Sequence, residues 1–191
     1  MSAQPHPRLT PEEYLALERA ADTRHEYYDG QMYAMAGASF IHTVIIGNLS
    51  YALRSRIHDR GCFVLTQDLR TRVSPAGLYA YPDIVLVCEK PRFADNQQDT
   101  LLNPKVLIEV LSPSTEAHDR GFKFSEYRKL ESLEEYLLVS QHQPRMEKFR
   151  RQADGHWLFS ESVGPESTVT MESVACAVPL TEIYANVDFE V

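Results

Sequence analysis

The chain has 191 residues, of which 43% are hydrophobic and 24% are charged. This composition is typical of a folded globular domain with a sizeable core, and it excludes a disordered or low-complexity chain. The formal net charge of −8 argues against tight non-specific binding to nucleic acid, but it does not exclude a local basic face on the surface. The sequence contains no apolar run long enough to span a membrane and no hydrophobic signal region in MSAQPHPRLTPEEY. We therefore expect a cytoplasmic protein without membrane segments.

The first predicted elements are a helix and a β-hairpin. Thr10 is a suitable N-cap and Glu13 completes a capping box, so a helix is expected from there to about Ala21. Asp29-Gly30 lies between the aromatic-rich runs HEYY and QMYAMAG. A dipeptide of this type between two such runs predicts a tight hairpin turn.

A longer helix and a series of strands follow. Ser39 to about Arg60 carries apolar residues at helical spacing and is closed by Gly61. The remaining expected elements are strands at 62–73, 82–88, 105–111 and 135–140, a polar loop at 91–103, a helix over about 117–132, and short antiparallel strands within 145–178. This order predicts a mixed α/β, or α+β, fold in a single domain over 1–191, with a central sheet flanked by helices.

The three cysteines, Cys62, Cys88 and Cys176, have no CxxC spacing. We interpret them as reduced thiols in or near the core, and not as a disulfide framework or a zinc site.

Acidic residues at strand positions are the candidates for chemistry. Glu109 lies in the middle of the apolar run VLIEVL, where a carboxylate is costly unless a cation or hydrogen bonds satisfy it. Asp83 opens the apolar strand of YPDIVLV. Two adjacent strands can direct both carboxylates to one point, and such oxygen ligands suit Mg²⁺ or Mn²⁺. The alternatives are a strand-start Asp83 bonded to its own backbone and an edge-strand Glu109 in water.

Lys123 is the third candidate. Lys123, Tyr127 and Leu130 are spaced i, i+4 and i+7 and therefore share one face of the predicted helix. If that face packs on the sheet, the ammonium can neutralise a carboxylate and orient a water molecule. The alternative is a lysine whose stem packs while its ammonium reaches solvent.

At this point the sequence resembles a known family. The segments YPDIVLV, VLIEVLSPST, DRGFKFSEY and EEYLLVS, together with HEYYDGQMYAMAG, the later His42 and TQDLRTRV, are similar to the Uma2 family, also called DUF820. That family belongs to the PD-(D/E)XK, or restriction-endonuclease-like, superfamily. The resemblance covers about residues 10–150, and its most specific part is EVLSPST…DRGFKFSEY.

The resemblance implies a Mg²⁺-dependent (or Mn²⁺-dependent) endonuclease acting on nucleic acid, DNA in preference to RNA, and a homodimer. By position, Asp83 and Glu109 would be the metal-binding acids and the backbone carbonyl of Val110 a further ligand. The lysine usually found two residues after the glutamate is replaced by Leu111, and its role would move to Lys123. Glu26 matches an additional acid near the metal. The alternative is a catalytically silent module that retains the fold for binding or an accessory role.

Other polar positions allow more than one interpretation. His42 could contact a phosphate, lie beside Glu26, or act in capping or surface packing, and Asp68 could face the site or solvent. Asp119, one turn before Lys123, could hold its ammonium. The residues expected to cap the helix after the strand are Ser112, Ser114 and Thr115. The candidates for contacts to a nucleic-acid backbone are Arg54, Arg56, Arg60, Arg145, Lys148, Arg150 and Arg151.

Overall fold

The computed structural model describes residues 8–74 and 77–189. Residues 1–7, which form half of the segment inspected for a signal region, lie outside the described residues. In the part that the structure describes, no helix combines the length and the apolar character that crossing a membrane requires.

The helical elements follow the predicted order. They are α1 (Pro11–Ala20), α2 (Phe40–Ile57), α3 (Glu116–His118), a π-helical turn (Asp119–Lys123), α4 (Phe124–Tyr127) and α5 (Leu180–Ile183), with 3₁₀ turns at His58–Arg60 and Glu172–Val174.

The strands form a large mixed sheet, a smaller second sheet and a ribbon. They are β1 (His25–Tyr28), β2 (Gln31–Ala34), β3 (Phe63–Thr66), β4 (Arg70–Arg72), β5 (Tyr79–Ala80), β6 (Ile84–Val87), β7 (Thr100–Leu101), β8 (Val106–Val110), β9 (Glu135–Val139), β10 (Arg145–Arg151), β11 (Trp157–Val163), β12 (Thr168–Met171) and β13 (Cys176–Pro179). The large sheet has the order β11-β10-β9-β8-β6-β3, the second has the order β2-β1-β5-β4-β7, and β12 pairs with β13. Since β8 and β9 are parallel while β6 and β8 are antiparallel, the predicted central mixed sheet is confirmed.

The N-terminal helix and hairpin are confirmed. The Thr10 side chain accepts a hydrogen bond from the backbone N–H of Glu13, and the Glu13 side chain accepts one from Thr10. This closes the capping box. The hairpin turn places Asp29 and Gly30 at φ values of 47° and 83°. Both residues are therefore in the left-handed region that a two-residue hairpin turn requires.

The predicted helix over 117–132 is shorter in the structure. Helical backbone starts at Glu116 and ends at Tyr127, because the chain turns so that Leu130 and Leu133 enter the core. The carbonyl oxygens of Arg128 and Leu130 each accept a hydrogen bond at 2.7 Å from the guanidinium of Arg151. The side chain of Arg151, from β10, thus donates to two carbonyls that would accept backbone hydrogen bonds if the helix continued.

The prediction of one strand over 62–73 is wrong. That segment forms β3 in the large sheet and β4 in the second sheet. Gln67 adopts a left-handed φ of 43° between them, and its N–H donates to the Asp83 carbonyl at 3.2 Å. The chain changes sheets at this point, and hydrophobic spacing alone does not reveal such a switch.

The register between β6 and β8 positions the acidic residues. Ile84 pairs with Ile108 and Val85 with Leu107. The same register, carried one residue further, sets Asp83 opposite Glu109. Ile84 and Ile108 pack under α2, whereas Val85 and Leu107 belong to the core beneath the helix that ends at Tyr127. Because side chains alternate along strands, Asp83 and Glu109 belong to the second of these faces.

The interpretation of all the cysteines as reduced thiols is wrong for two of them. Cys62 and Cys88 form a disulfide, whereas Cys176 is free and buried. Phe63 pairs with Val87 across β3 and β6, so the two cysteines lie side by side at the ends of adjacent antiparallel strands. They are 26 residues apart in sequence, and their proximity follows from strand pairing and not from a local motif.

Candidate functional site

Asp83 and Glu109 are held against each other by the backbone of their own strands. The N–H of Val110 donates to Oδ2 of Asp83 at 2.7 Å. The N–H of Asp83 donates to Oε2 of Glu109 at 3.3 Å. Each acidic side chain therefore receives a hydrogen bond from the strand that carries the other, which fixes both carboxylates at the same end of the β6–β8 pair.

Lys123 enters this cluster from the π-helical turn. Its Nζ lies 3.2 Å from Glu109 Oε1, 3.0 Å from Glu26 Oε1 and 3.3 Å from Asp119 Oδ1. The side chain is only 9% exposed, so the solvated alternative is not the one observed. Local widening of a helix to π geometry is frequent at functional sites. Here the turn buries Asp119 and Lys123 together.

The charges of the cluster hold Lys123 as an ammonium. Burial alone lowers the pKa of Lys123. The carboxylates of Glu109, Glu26 and Asp119 raise the pKa by more than burial lowers it, so the net pKa lies well above its ordinary value. The predicted ion pair between Asp119 and Lys123 is confirmed.

Glu109 is the most constrained acid of the cluster. Besides Lys123, the Tyr127 hydroxyl donates a hydrogen bond to its Oε1 at 2.9 Å. Burial raises the pKa of Glu109 to about 8; Lys123 acts in the opposite direction, and the charge of Asp83 adds to the rise. The sequence analysis did not predict the hydrogen bond from Tyr127. The feature that could have indicated it is the position of Tyr127 on the same helix face as Lys123.

Glu26 reaches the cluster because α1 holds the hairpin. The N–H of His25 donates to Glu18 Oε1 at 2.9 Å, and the His25 carbonyl accepts from the Tyr14 hydroxyl at 2.7 Å. Oε2 of Glu18 lies 3.0 Å from Nδ1 of His25. The residue that precedes Glu26 is therefore fixed through both of its backbone polar groups and its ring.

His42 lies beside Asp83 and not beside Glu26. Its Nε2 is 3.2 Å from Oδ2 of Asp83, while its Nδ1 is buried and makes no hydrogen bond within the described residues. Ser39 caps α2 by accepting from the backbone N–H of His42. Of the uses considered from the sequence, neither proximity to Glu26 nor capping by the imidazole is observed.

Several other sequence candidates lie outside the cluster. The Asp68 side chain is 84% exposed and lies 3.6 Å from Arg24. The hydroxyl of Ser112 accepts from the N–H of Thr115, while Thr115 provides no side-chain cap to α3. The predicted capping role is therefore taken by Ser112.

The large mixed sheet thus has paired acids at the ends of two adjacent strands, and the following helix delivers a lysine to them. A crystal structure named as a "putative nuclease belonging to DUF820" from Anabaena variabilis ATCC 29413 has a TM-score of 0.74 against this chain, and the alignment covers 93% of this chain and 98% of that one. At 17% sequence identity, this likeness establishes the fold, which confirms the predicted fold class.

The Uma2 family, described as "Putative restriction endonuclease", matches residues 11–180, and the chain belongs to this family. Two proteins of Synechocystis sp. (strain ATCC 27184 / PCC 6803 / Kazusa) are also similar. Uncharacterized protein sll1609 is 36% identical over 84% of this chain and 91% of its own length. Uncharacterized protein slr1290 is 35% identical over 97% of this chain and 96% of its own length. The family resemblance seen in the sequence is thus confirmed.

Proposed function

We propose that the protein is a Mg²⁺-dependent endonuclease that hydrolyses phosphodiester bonds of nucleic acid at the Asp83–Glu109–Lys123 cluster. The observation that carries the proposal is the convergence of an ammonium and buried carboxylates: Nζ of Lys123 lies within 3.3 Å of Glu109, Glu26 and Asp119. Membership of a family described as "Putative restriction endonuclease" supports it.

The acidic residues fit a hard divalent cation in number and chemistry. Glu26, Asp83, Glu109 and Asp119 supply up to four negative charges against the one ammonium of Lys123. Glu26 Oε1 and Asp119 Oδ1 are buried, and they lie 3.0 Å and 3.3 Å from the Lys123 ammonium. Mg²⁺ is usually held by one or two carboxylates and keeps several waters. We assign this role to Asp83 and Glu109, together with the carbonyl of Val110.

A divalent cation bound there would polarise a phosphoryl oxygen and lower the pKa of a water molecule. The chain itself provides the remaining functions. Lys123 remains an ammonium and can stabilise negative charge that develops on the phosphoryl group. Tyr127 and the backbone N–H of Asp83 orient the two oxygens of Glu109. Glu26 shares the ammonium with Glu109 and so fixes the position of Nζ.

The test is cleavage of plasmid DNA and of RNA by the purified protein with Mg²⁺ or Mn²⁺. Asp83→Ala and Lys123→Ala should each lower the rate by at least about a hundredfold, the size typical of a lost catalytic electrostatic group. Asp68→Ala and Lys129→Ala are matched controls, because both side chains are more than half exposed. Absence of cutting by the wild type over a range of salt and pH would contradict the proposal.

A second candidate is a catalytically silent module that retains the fold for binding or an accessory role. One observation favours it: the net charge of −8 is unfavourable for drawing a polyanionic substrate to a catalytic site. Calorimetry with Mn²⁺ separates the two. The nuclease should bind the ion and lose binding in Glu109→Ala, whereas the silent module should show no such difference.

The assembly and the kind of nucleic acid stay predictions. We retain the homodimer and the preference for DNA over RNA that the family resemblance implies. Light scattering measures the first, and parallel assays on DNA and RNA of the same sequence measure the second.

A further inference from the structure

An exposed tyrosine stands next to the acidic cluster. In the hairpin, Tyr33 pairs directly with Glu26, so the two side chains lie on the same face with their Cβ atoms about 5 Å apart. Glu26 contacts Lys123, whereas the Tyr33 residue is 50% exposed. Its hydroxyl donates to Oε1 of Gln31 at 2.9 Å. The ring is therefore held in place although much of its surface faces solvent.

Further aromatic rings continue this edge of the cluster. Tyr28, two residues after Glu26, packs against Phe122 with ring centroids 4.6 Å apart. Phe122 in turn lies 4.8 Å from the exposed ring of His118. Phe122 and His118 directly precede Lys123 and Asp119 in sequence. We name these four side chains, Tyr28, Tyr33, His118 and Phe122, the aromatic rim.

Most of the basic side chains that the sequence identifies as candidates for a duplex backbone are engaged within the chain. Several of the arginines and lysines identified in the sequence contact carbonyl or carboxylate oxygens of the protein: Arg54, Arg56, Arg60, Arg145, Lys148 and Arg151. Binding of a duplex through its phosphates depends on freely available cations. The net charge of this chain is −8, and most of its candidate basic residues already contact protein oxygens. Its affinity for nucleic acid therefore needs a source other than phosphate contacts.

We propose that the aromatic rim stacks the bases of a single-stranded nucleic-acid segment, so that the substrate of the acidic cluster is single-stranded and not base-paired. Bases in a duplex have both faces covered by their neighbours, whereas an unpaired base offers a face to an exposed aromatic ring. The rim is continuous with the cluster through Glu26 and Lys123, which places a stacked base beside the reacting phosphate. The inference rests on the proposed function for its choice of nucleic acid.

The test measures binding without chemistry. Fluorescence anisotropy in EDTA compares a labelled single-stranded 20-mer with the duplex of the same sequence. The wild type should bind the single strand about tenfold more tightly, and Tyr33→Ala should lose about tenfold of that affinity, the size of one lost stacking contact. Tyr33→Phe keeps the ring and should stay within about twofold of the wild type.

Phe63→Ala is the matched control, because Phe63 is 51% exposed and lies at the end of β3 that is paired with Val87, away from Asp83. Equal or tighter binding of the duplex, or equal losses in Tyr33→Ala and Phe63→Ala, would overturn the inference. If the protein cuts duplex DNA in Mg²⁺ and Tyr33→Ala cuts it at the same rate, the inference about the rim is overturned, but the proposed nuclease function is not. Tyr33-dependent single-strand binding without any cutting would support the rim and contradict the nuclease.

Discussion

At the scale of single residues, the chain places several carboxylates close together in a buried cluster, where like charges are energetically unfavourable. Glu26, Glu109 and Asp119 share the ammonium of Lys123, and burial raises the pKa of both Glu109 and Asp119. Breaking a buried charge pair typically costs about 3–5 kcal/mol, while replacing the whole set by apolar side chains is often neutral. Stability alone does not explain such a cluster, and this strengthens the case for a function there.

A second buried acid, Glu135, provides a test of electrostatics away from the cluster. Its carboxylate accepts from the Ser173 hydroxyl and from the N–H of Glu172, whose own side chain pairs with Lys148. Burial raises the pKa of Glu135 from 4.5 to about 7. Between these two pH values Glu135 binds more protons in the folded chain than in the unfolded chain, so its contribution to the free energy of unfolding should fall as the pH rises.

Glu135→Gln should remove the part of this fall that Glu135 contributes, while the raised pKa of Glu109 keeps its own part. At pH 4.5 the variant and the wild type should be about equally stable, and at pH 8 the variant should be the more stable of the two. Urea unfolding at both pH values measures the difference. Glu131→Gln, at an exposed position nearby, should follow the wild type. A variant less stable than the wild type at pH 8 would contradict the raised pKa.

Some residues of the cluster could be predicted from local sequence patterns, and others could not. Asp83 and Glu109 were recognisable because a carboxylate interrupts or opens an apolar strand, and Lys123 because helical spacing turns it inward. The partner of His42 was not recognisable, since the contact with Asp83 joins the start of α2 to the start of β6. Glu18 was missed for the same reason, because its contacts reach both His25 and Tyr81.

At the scale of elements, α1 positions the hairpin that carries Glu26. Glu18 accepts hydrogen bonds from the N–H of His25 and from the hydroxyl of Tyr81. Tyr81 also accepts from the guanidinium of Arg70, which pairs with Asp99 at 2.7 Å. Glu18, Arg70 and Tyr81 are buried, and the network joins α1, β1, β4 and the segment before β7. The direction of Glu26 therefore depends on contacts from distant parts of the chain.

Glu18→Gln tests this positioning with little change in side-chain shape. A hydrogen bond to a charged group is stronger than one to a neutral group by about 1 kcal/mol. The variant should therefore show about fivefold faster amide hydrogen exchange at His25, measured by NMR. Glu12→Gln, an exposed position on the same helix, should leave the exchange at His25 unchanged. Equal exchange in both variants would mean that Glu18 does not hold the hairpin.

The elements show how far local patterns reach. The capping box and the Asp29-Gly30 turn are local signals, and both were predicted correctly. The division of 62–73 between two sheets depends on the pairing of β4 with β5 and β7, and no local pattern contains that information. The π-helical turn at Asp119–Lys123 was equally hidden, because the spacing of Lys123 and Tyr127 also suits an ordinary helix.

At the scale of the whole molecule, the disulfide ties an edge strand to the strand that carries the site. β3 lies at the edge of the large sheet beside β6, and the Cys62–Cys88 bridge joins their ends. Asp83 stands just before the opposite end of β6. The bridge therefore constrains the strand without contacting the acidic cluster, and its contribution to stability can be measured separately from the function of the site.

Reduction of this bridge should lower the free energy of unfolding by about 3 kcal/mol, because a cross-link between residues 26 apart restricts the unfolded chain by roughly that amount. Urea unfolding with and without a reductant measures the change, and thiol titration of the unfolded protein should find one thiol before reduction and three after it. In a Cys62→Ser, Cys88→Ser double variant the reductant should have no effect. Identical unfolding of the oxidised and reduced wild type would contradict the predicted stabilisation.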